Sequence, residues 1–177
     1  ADLLMNKSDI EKVDFENFSC LIFTGTSLAL EPSRSAVFLA IEKAKSANIP
    51  IILDIDYRPY TWISSEKASE VYLKAAELVD ILIGNDDEFG VLAVDYNKGL
   101  EKAKELSKIV PIVIYKKGEK GSITLISIEG FFVRFSTVCG ERMFANTNLE
   151  SSRITIVPFG DRFGAPSEDT VATYPNF

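Results

Sequence analysis

The sequence predicts an α/β fold with a mainly parallel central sheet. The segments 49–55, 80–84 and 110–116 contain the unbroken apolar runs 51–53, 81–83 and 112–114 and have the length of buried strands. The segments between them carry apolar residues every three or four positions, which is typical of helices that pack on a sheet. Because these strands and helices alternate along the chain, we expect β-α units on a parallel sheet that is buried on both faces.

The first half of the chain follows this order. A strand is predicted over 19–24, and a helix should begin at Pro32-Ser33. The apolar stripe of that helix consists of Val37, Ala40, Ile41 and Ala44. After the strand over 49–55, Ser65 is the expected N-cap of the next helix.

The second half begins with the strand over 80–84 and a short helix over 87–94. Asn97 is the expected cap of a further helix, whose inward positions would be Leu100, Ala103, Leu106 and Ile109. The strand over 110–116 is followed by two segments, 122–128 and 131–138, that predict a hairpin turning at Glu129-Gly130.

Composition excludes several classes of function. The 177 residues carry a net charge of −7, which argues against a nucleic-acid partner. No apolar run approaches the length of a membrane span, so we expect no membrane partner. Cys20 and Cys139 are far apart without CxxC spacing, which predicts a reducing, cytoplasmic location. Histidine is absent, so a general base must be a carboxylate, Lys, Tyr or Cys.

Polar residues follow three of the predicted strands, at the point where each strand ends. They occupy 54–62, 84–88 and 115–121. The carboxyl ends of parallel strands share one edge of a sheet, and ligands bind in the crevice there. The three clusters therefore predict one composite site for an anionic ligand.

The same clusters carry three sequence motifs. Residues 54–62 read D-x-[ND]-x-R-x-x-x-W, Asn85 and Glu88 form N-x-x-E, and residues 113–121 read V-x-x-K-x-G-x-x-G. In this order the motifs resemble the ribokinase/PfkB family of ATP-dependent sugar kinases, over roughly residues 1–132. The form D-I-D-Y-R-P with a following Trp resembles the inositol-catabolism branch, which acts on 5-dehydro-2-deoxygluconate.

The resemblance implies a ribokinase-like three-layer sandwich and transfer of a phosphoryl group from ATP to a sugar acid, with Mg²⁺. Asp54, Asp56 and Arg58 would contact the substrate, and Arg58 would also steady an anionic oxygen during catalysis. Gly25 in Thr24-Gly25-Thr26 is a further candidate sugar contact, with a plain turn as the alternative. The alternative for Arg58 is an ion pair with Asp54 or Asp56 that holds the turn.

Two groups of residues would serve the nucleotide and its metal. Asn85 and Glu88 would organise Mg²⁺, although an N-cap followed by a first-turn acid explains the same letters. The segment with Lys116, Lys117, Gly118 and Gly121 would line the nucleotide, since its glycines allow close backbone approach. Its alternative is a tight turn between strands with solvated lysines.

The resemblance is incomplete at both ends. The family's N-terminal region is missing and the chain begins with Ala1 rather than Met, so we expect a truncated protein. The family's G-A-G-D motif is not intact, and Asp161 is the nearest candidate for the base. Every lysine lies before residue 134, whereas four of the six arginines lie at or after it. We therefore predict a kinase core over 1–133 and a divergent tail over 134–177.

Three hypotheses for function follow. The first is an ATP-dependent sugar-acid kinase, present as a fragment. The second is a non-catalytic fragment that binds nucleotide through the Asn85–Glu88 and Lys116–Gly121 regions. The third is an inactive truncated product, whose unpaired sheet edge predicts self-association.

Overall fold

A computed structural model describes the backbone of residues 2–128, 131–137 and 143–146, and the side chains of residues 3–127. The strands of this part form one seven-stranded sheet in sequence order. They are β1 Leu21–Thr24, β2 Ile51–Asp54, β3 Ile81–Asn85, β4 Ile112–Lys116, β5 Ser122–Ile128, β6 Phe131–Thr137 and β7 Met143–Asn146. Strands β1 to β4 are parallel, and β5, β6 and β7 are each antiparallel to the strand before them.

Five α-helices accompany these strands in the described part of the chain. They are α1 Lys7–Glu11, α2 Ser33–Ser46, α3 Ser65–Ala76, α4 Asp86–Ala93 and α5 Gly99–Leu106. The sequence predicts helices at the positions of α2 to α5, whereas α1, which begins with a capping box of Asn6 and Asp9, has no predicted counterpart. None of the described helices combines the length and the apolar character needed to cross a bilayer.

Helices α2 to α5 cover one face of the parallel strands. Each of β1 to β4 lies beside the strand that precedes it in sequence, and right-handed crossovers in one direction place their helices on the same face. Burial follows this arrangement, since Leu53, Leu82 and Val113 are fully buried. Residues on the opposite face are half-buried in β2 to β4, and Ile22 in β1 is 63% exposed. The prediction that both faces are buried is therefore wrong for the described residues.

Two predicted helix caps are wrong by one residue. Ser64, not Ser65, caps α3, because its backbone is extended and its hydroxyl accepts a hydrogen bond from Lys67 N–H. Lys98 rather than Asn97 precedes α5, and Asn97 lies in a 3-10 turn over Tyr96–Lys98. Adjacent residues are both plausible at the first position of each helix, and only the observed helix boundaries decide which of them is the cap.

The last predicted inward position of α5 is also wrong. The helix ends at Leu106, which leaves Ile109 outside its periodic face and 57% exposed. Ala103 and Leu106 are buried as predicted.

The predicted hairpin is confirmed by the pairing of β5 with β6. Its turn at Glu129-Gly130 lies outside the described residues, as does most of the predicted tail. Strand β6 crosses the expected boundary between residues 133 and 134, and β7 follows it. The division into a core and a tail stays a prediction.

Candidate active site

The segment after β2 forms a turn that is held by ionic and hydrogen-bonding side chains. Asp56 has a φ of 36°, a left-handed conformation that costs free energy in residues other than glycine. Its carboxylate accepts a hydrogen bond from Thr26 Oγ1 at 2.8 Å and lies 2.7 Å from the guanidinium of Arg58. The ion pair considered as an alternative for Arg58 is therefore present, with Asp56 rather than Asp54.

A buried aromatic pair, Trp62 and Tyr72, packs beneath the β2 turn on the side of the core. The rings of Trp62 and Tyr72 lie 5.1 Å apart, and burial raises the pKa of the Tyr72 hydroxyl. Gly25 packs directly against Tyr72, since a Cβ at this position would lie 2.1 Å from a ring carbon and 2.2 Å from the carbonyl oxygen of Ile55. Gly25 is thus buried under the turn, and its contact with a sugar stays a prediction.

Asn85 and Glu88 form a reciprocal cap at the start of α4. Asn85 Oδ1 accepts a hydrogen bond from Glu88 N–H at 2.8 Å, and Glu88 Oε2 accepts one from Asn85 N–H at 2.7 Å. Glu88 is only 8% exposed, and this burial raises the pKa of its carboxyl group. The capping alternative is therefore present in the structure, and the role of the pair in organising a metal stays a prediction.

Lys116, at the end of β4, contacts the end of β2 and the start of α4. Its side chain lies on the same face as Asp54 and Asn85, because all three alternate with buried neighbours along β4, β2 and β3. Lys116 Nζ lies 3.1 Å from Asp54 Oδ1 and 3.9 Å from Glu88 Oε2. The three predicted clusters thus meet at the carboxyl edge of the sheet.

The loop between β4 and β5 is a tight turn closed by its own backbone. Lys117 N–H donates to Gly121 O at 2.8 Å, and Gly121 N–H donates to Gly118 O at 3.0 Å. Gly118 and Gly121 have φ values of 57° and 82°, so both use conformations that favour glycine. No atom lies within 4 Å of a Cβ placed on Gly118, and this open space leaves its backbone accessible.

Sequence patterns did not predict every member of the site. Thr26 and Asp56, which are hydrogen-bonded, lie 30 positions apart in the sequence, and Gly25 and Tyr72, which are in contact, lie 47 positions apart. No local motif indicates such contacts. The sequence indicates the ion pair between Lys116 and Asp54 only weakly, because each is the last residue of a strand and alternates with buried residues along it. Asp161, the candidate base, lies outside the described residues.

The donor set fits a hydrated divalent cation. Asp54 and Glu88 supply carboxylate oxygens, which magnesium prefers, and magnesium keeps most of its waters when few protein ligands are available. Within the described residues, no group of three or more acidic, His or Cys side chains is arranged to hold a metal. A metal here would therefore be shared with the phosphates of a ligand rather than enclosed by protein.

The chain is similar to curated kinases over most of its length. It is 38% identical over 137 residues to a 5-dehydro-2-deoxygluconokinase of Geobacillus thermodenitrificans. The aligned region covers 75% of this chain and 41% of that protein. A kinase of the same name from Bacillus anthracis is 36% identical over 128 residues, or 70% of this chain and 39% of that protein. The chain thus spans about two fifths of the length of these relatives.

Solved structures of sugar kinases have the same fold. A fructokinase double mutant from Vibrio cholerae O395, with fructose, ADP and potassium ion bound, matches 71% of this chain and 40% of its own, with a TM-score of 0.61 and 25% identity. The aminoimidazole riboside kinase of Salmonella enterica, complexed with aminoimidazole riboside and an ATP analogue, matches 80% of this chain and 46% of its own, with a TM-score of 0.63 and 19% identity. The predicted α/β, ribokinase-like fold is confirmed. The model of the pfkB family of carbohydrate kinases matches residues 1–138, and the chain belongs to that family.

Proposed function

We propose that this chain is part of an ATP-dependent kinase that phosphorylates a sugar acid such as 5-dehydro-2-deoxygluconate. The observation that carries the proposal is the meeting of three family motifs at one edge of the sheet, through the contacts of Lys116 with Asp54 and Glu88. The names of the relatives support the sugar acid and a place in inositol catabolism. ATP as phosphoryl donor supports a cytoplasmic location, and we propose that no nucleic acid or membrane takes part.

The substrate side is the turn after β2. Arg58 presents a planar guanidinium that can bind a carboxylate or a phosphoryl oxygen through two parallel hydrogen bonds. Asp56 holds this guanidinium in place, and Thr26 holds Asp56. Asp54 and Asp56 also offer acceptors for sugar hydroxyls, so the turn can recognise both the anionic and the hydroxyl groups of a sugar acid.

The nucleotide side is formed by α4 and the β4–β5 loop. Mg²⁺, when bound, would neutralise charge on the phosphate oxygens, which is the main contribution that metal makes to phosphoryl transfer. Glu88 Oε2 and Asn85 Oδ1 form the cap of α4, so the Glu88 carboxylate can accept a hydrogen bond from a metal-bound water and the Asn85 amide N–H can donate one to a phosphate oxygen. The open backbone at Gly118, with Lys116 and Lys117 before it and Gly121 after it, provides space and positive charge for a phosphate chain.

Deprotonation of the attacking sugar hydroxyl requires a base, and Asp161 stays our proposal for this role. Positioning and charge stabilisation supply most of the rate enhancement in this class of reaction. We therefore propose that the described residues bind the nucleotide and the metal. Turnover by this 177-residue chain is tested separately in a phosphorylation assay with 5-dehydro-2-deoxygluconate. If Asp161 is the base, any activity of the wild-type chain should be lost in Asp161→Asn.

Thermal unfolding with and without millimolar Mg·ATP tests the binding proposal. A ligand present at 100 times its dissociation constant stabilises the folded state by about 2.7 kcal/mol, which raises the unfolding temperature by several degrees. We expect this shift in the wild-type chain and its loss in Glu88→Gln. Glutamine can still accept the capping hydrogen bond from Asn85 N–H, so the loss would follow from the missing charge.

Asp87→Asn is the matched control, because Asp87 is an exposed acid in the same helical turn. This variant should keep the full shift. A wild-type transition that ignores Mg·ATP would reject the proposed nucleotide site. Equal shifts in Glu88→Gln and Asp87→Asn would instead reject the role of Glu88 while preserving the site.

We further propose that two copies of the chain associate through β1. Among the described strands, β1 pairs only with β2, so its outer edge presents backbone groups that an equivalent edge can bind about a two-fold axis. A groove of about 440 Å³ runs along this edge and is lined by apolar residues that include Met5, Ile10 and Ile22. Light scattering should show a dimer that Ile22→Lys converts to a monomer, and a wild-type monomer at all concentrations would reject this proposal.

A further inference from the structure

The ammonium group of Lys116 is shared between two carboxylates from different elements. It lies 3.1 Å from Asp54 Oδ1 on β2 and 3.9 Å from Glu88 Oε2 at the start of α4. Lys116 itself ends β4, so one positive charge joins three elements at the carboxyl edge. These distances place the ammonium where a cation would balance both acids.

The two carboxylates differ in how they are held. Glu88 is nearly buried, and one of its oxygens already accepts a hydrogen bond from Asn85 N–H at 2.7 Å. Asp54 is less constrained, with 39% of its side chain exposed. Without a nearby cation the two acids would repel one another, and the burial of Glu88 would strengthen that effect. The ammonium group of Lys116 therefore offsets this repulsion in the free protein.

Lysine is suited to supply this charge temporarily. Its ammonium is a compact charge on a flexible four-carbon chain, and the Lys116 side chain is 40% exposed. The ammonium can leave the two acids and remain in solvent at the edge of the sheet. A guanidinium fork, as in Arg58 beside Asp56, would be held more rigidly.

We propose that Lys116 is an internal counter-ion that competes with a divalent cation for Asp54 and Glu88, and that binding of the cation displaces its ammonium group. The inference rests on the proposed function for the identity of the metal, Mg²⁺. Displacement would present the freed ammonium at the edge where the ligand phosphates are expected. Lys116 would thus couple metal binding to the positioning of an anionic ligand.

Titration of Mn²⁺ into the folded protein without nucleotide, followed by electron paramagnetic resonance, tests this inference. Lys116→Met removes the charge and keeps an unbranched side chain of similar length. We expect Lys116→Met to bind Mn²⁺ about tenfold more tightly than the wild-type chain, which corresponds to about 1.4 kcal/mol. Lys108→Met is the matched control, since Lys108 is an exposed lysine after α5 that lies outside the proposed site, and its loss should change the affinity little.

Two further variants determine where the metal binds. Lys116→Met combined with Asp54→Asn should lose the gain in affinity, because one of the two acids is then neutral. Lys116→Arg keeps the positive charge and should bind Mn²⁺ no more tightly than the wild-type chain. Equal affinities of the wild-type chain, Lys116→Met and Lys108→Met would overturn the inference.

The wild-type chain provides a test that does not depend on any variant being folded. In a protein labelled with ¹⁵N at lysine side chains, Mg²⁺ should shift the Lys116 ammonium resonance and leave that of the exposed Lys108 in place. Displacement without any Mg·ATP-dependent thermal shift would support this inference and reject the proposed nucleotide site. A Mg·ATP-dependent thermal shift with an unmoved Lys116 resonance would support the nucleotide site and overturn this inference.

Discussion

The turn after β2 and the loop between β4 and β5 lie at the same edge of the sheet but are held in different ways. Distant side chains fix the first, since Thr26 binds Asp56 and Gly25 packs on Tyr72. Hydrogen bonds within the loop's own backbone close the second, and the space around Gly118 is open. The two regions therefore obtain their shape from tertiary and local interactions, respectively.

This difference separates two kinds of binding surface. The β2 turn directs charged side chains whose positions depend on the surrounding core, as expected for a surface that selects a substrate. The β4–β5 loop offers backbone groups and accessible space, which suits the phosphate chain that all nucleotides share. Substitutions in the first region should affect folding and binding together, whereas those in the second should affect folding little.

A pair of glycine variants should show the largest contrast between the regions. Gly25→Ala places a methyl group about 2 Å from Tyr72 and from the Ile55 carbonyl, so we expect unfolding to require about 3 kcal/mol less free energy. Gly118→Ala meets no atom and loses only about 1 kcal/mol through its left-handed backbone. Urea denaturation measures both values, and equal losses would show that the two regions are supported alike.

A smaller effect is expected from the hydroxyl that holds the β2 turn. Thr26→Val keeps the shape of the side chain and removes the hydrogen bond to Asp56, at a cost of about 1 kcal/mol in unfolding free energy. Thr61→Val is the control, since Thr61 donates an exposed hydrogen bond to the Arg58 carbonyl. Urea denaturation should give a smaller loss for Thr61→Val. The reverse order would place the main support of the turn in its own backbone.

The smallest effect is expected on the exposed face of α3, the helix whose buried face carries Tyr72. Hydrogen bonds from Lys67 and Lys74 lower the pKa of Glu70 to about 2, from an ordinary value of 4.5. A lowered pKa stabilises the folded state above pH 4.5, and this contribution is lost as the pH falls towards 2. We expect Glu70→Gln to lower the unfolding temperature slightly at pH 6.

The difference between Glu70→Gln and the wild-type chain should shrink as the pH is lowered below 4.5, and also in high salt, because the pair is exposed to solvent. Glu77→Gln, an exposed acid at the end of the same helix, provides the control. A difference that grows on acidification would contradict the assigned ion pairs.

The candidate site was predictable where local sequence determines geometry. Asn85 and Glu88 are three residues apart at the start of a helix, and this spacing alone brings them together. Gly118 and Gly121 mark a tight turn for the same local reason. By contrast, nothing near Asp56 in sequence indicates that Thr26 would bind it, and the motif alone leaves open whether Arg58 pairs with Asp54 or with Asp56.

The sequence alone determined the order and type of the main strands and helices, because apolar periodicity and glycine positions govern the local conformation of short segments. The alternation of strands and helices, the polar strand ends and the family motifs all follow from such local patterns. Only the tertiary structure decided that the helices α2 to α5 share one face, that Gly25 lies beneath the turn and that Lys116 joins Asp54 to Glu88. These features depend on strand order and on contacts between distant residues, which a local pattern cannot specify.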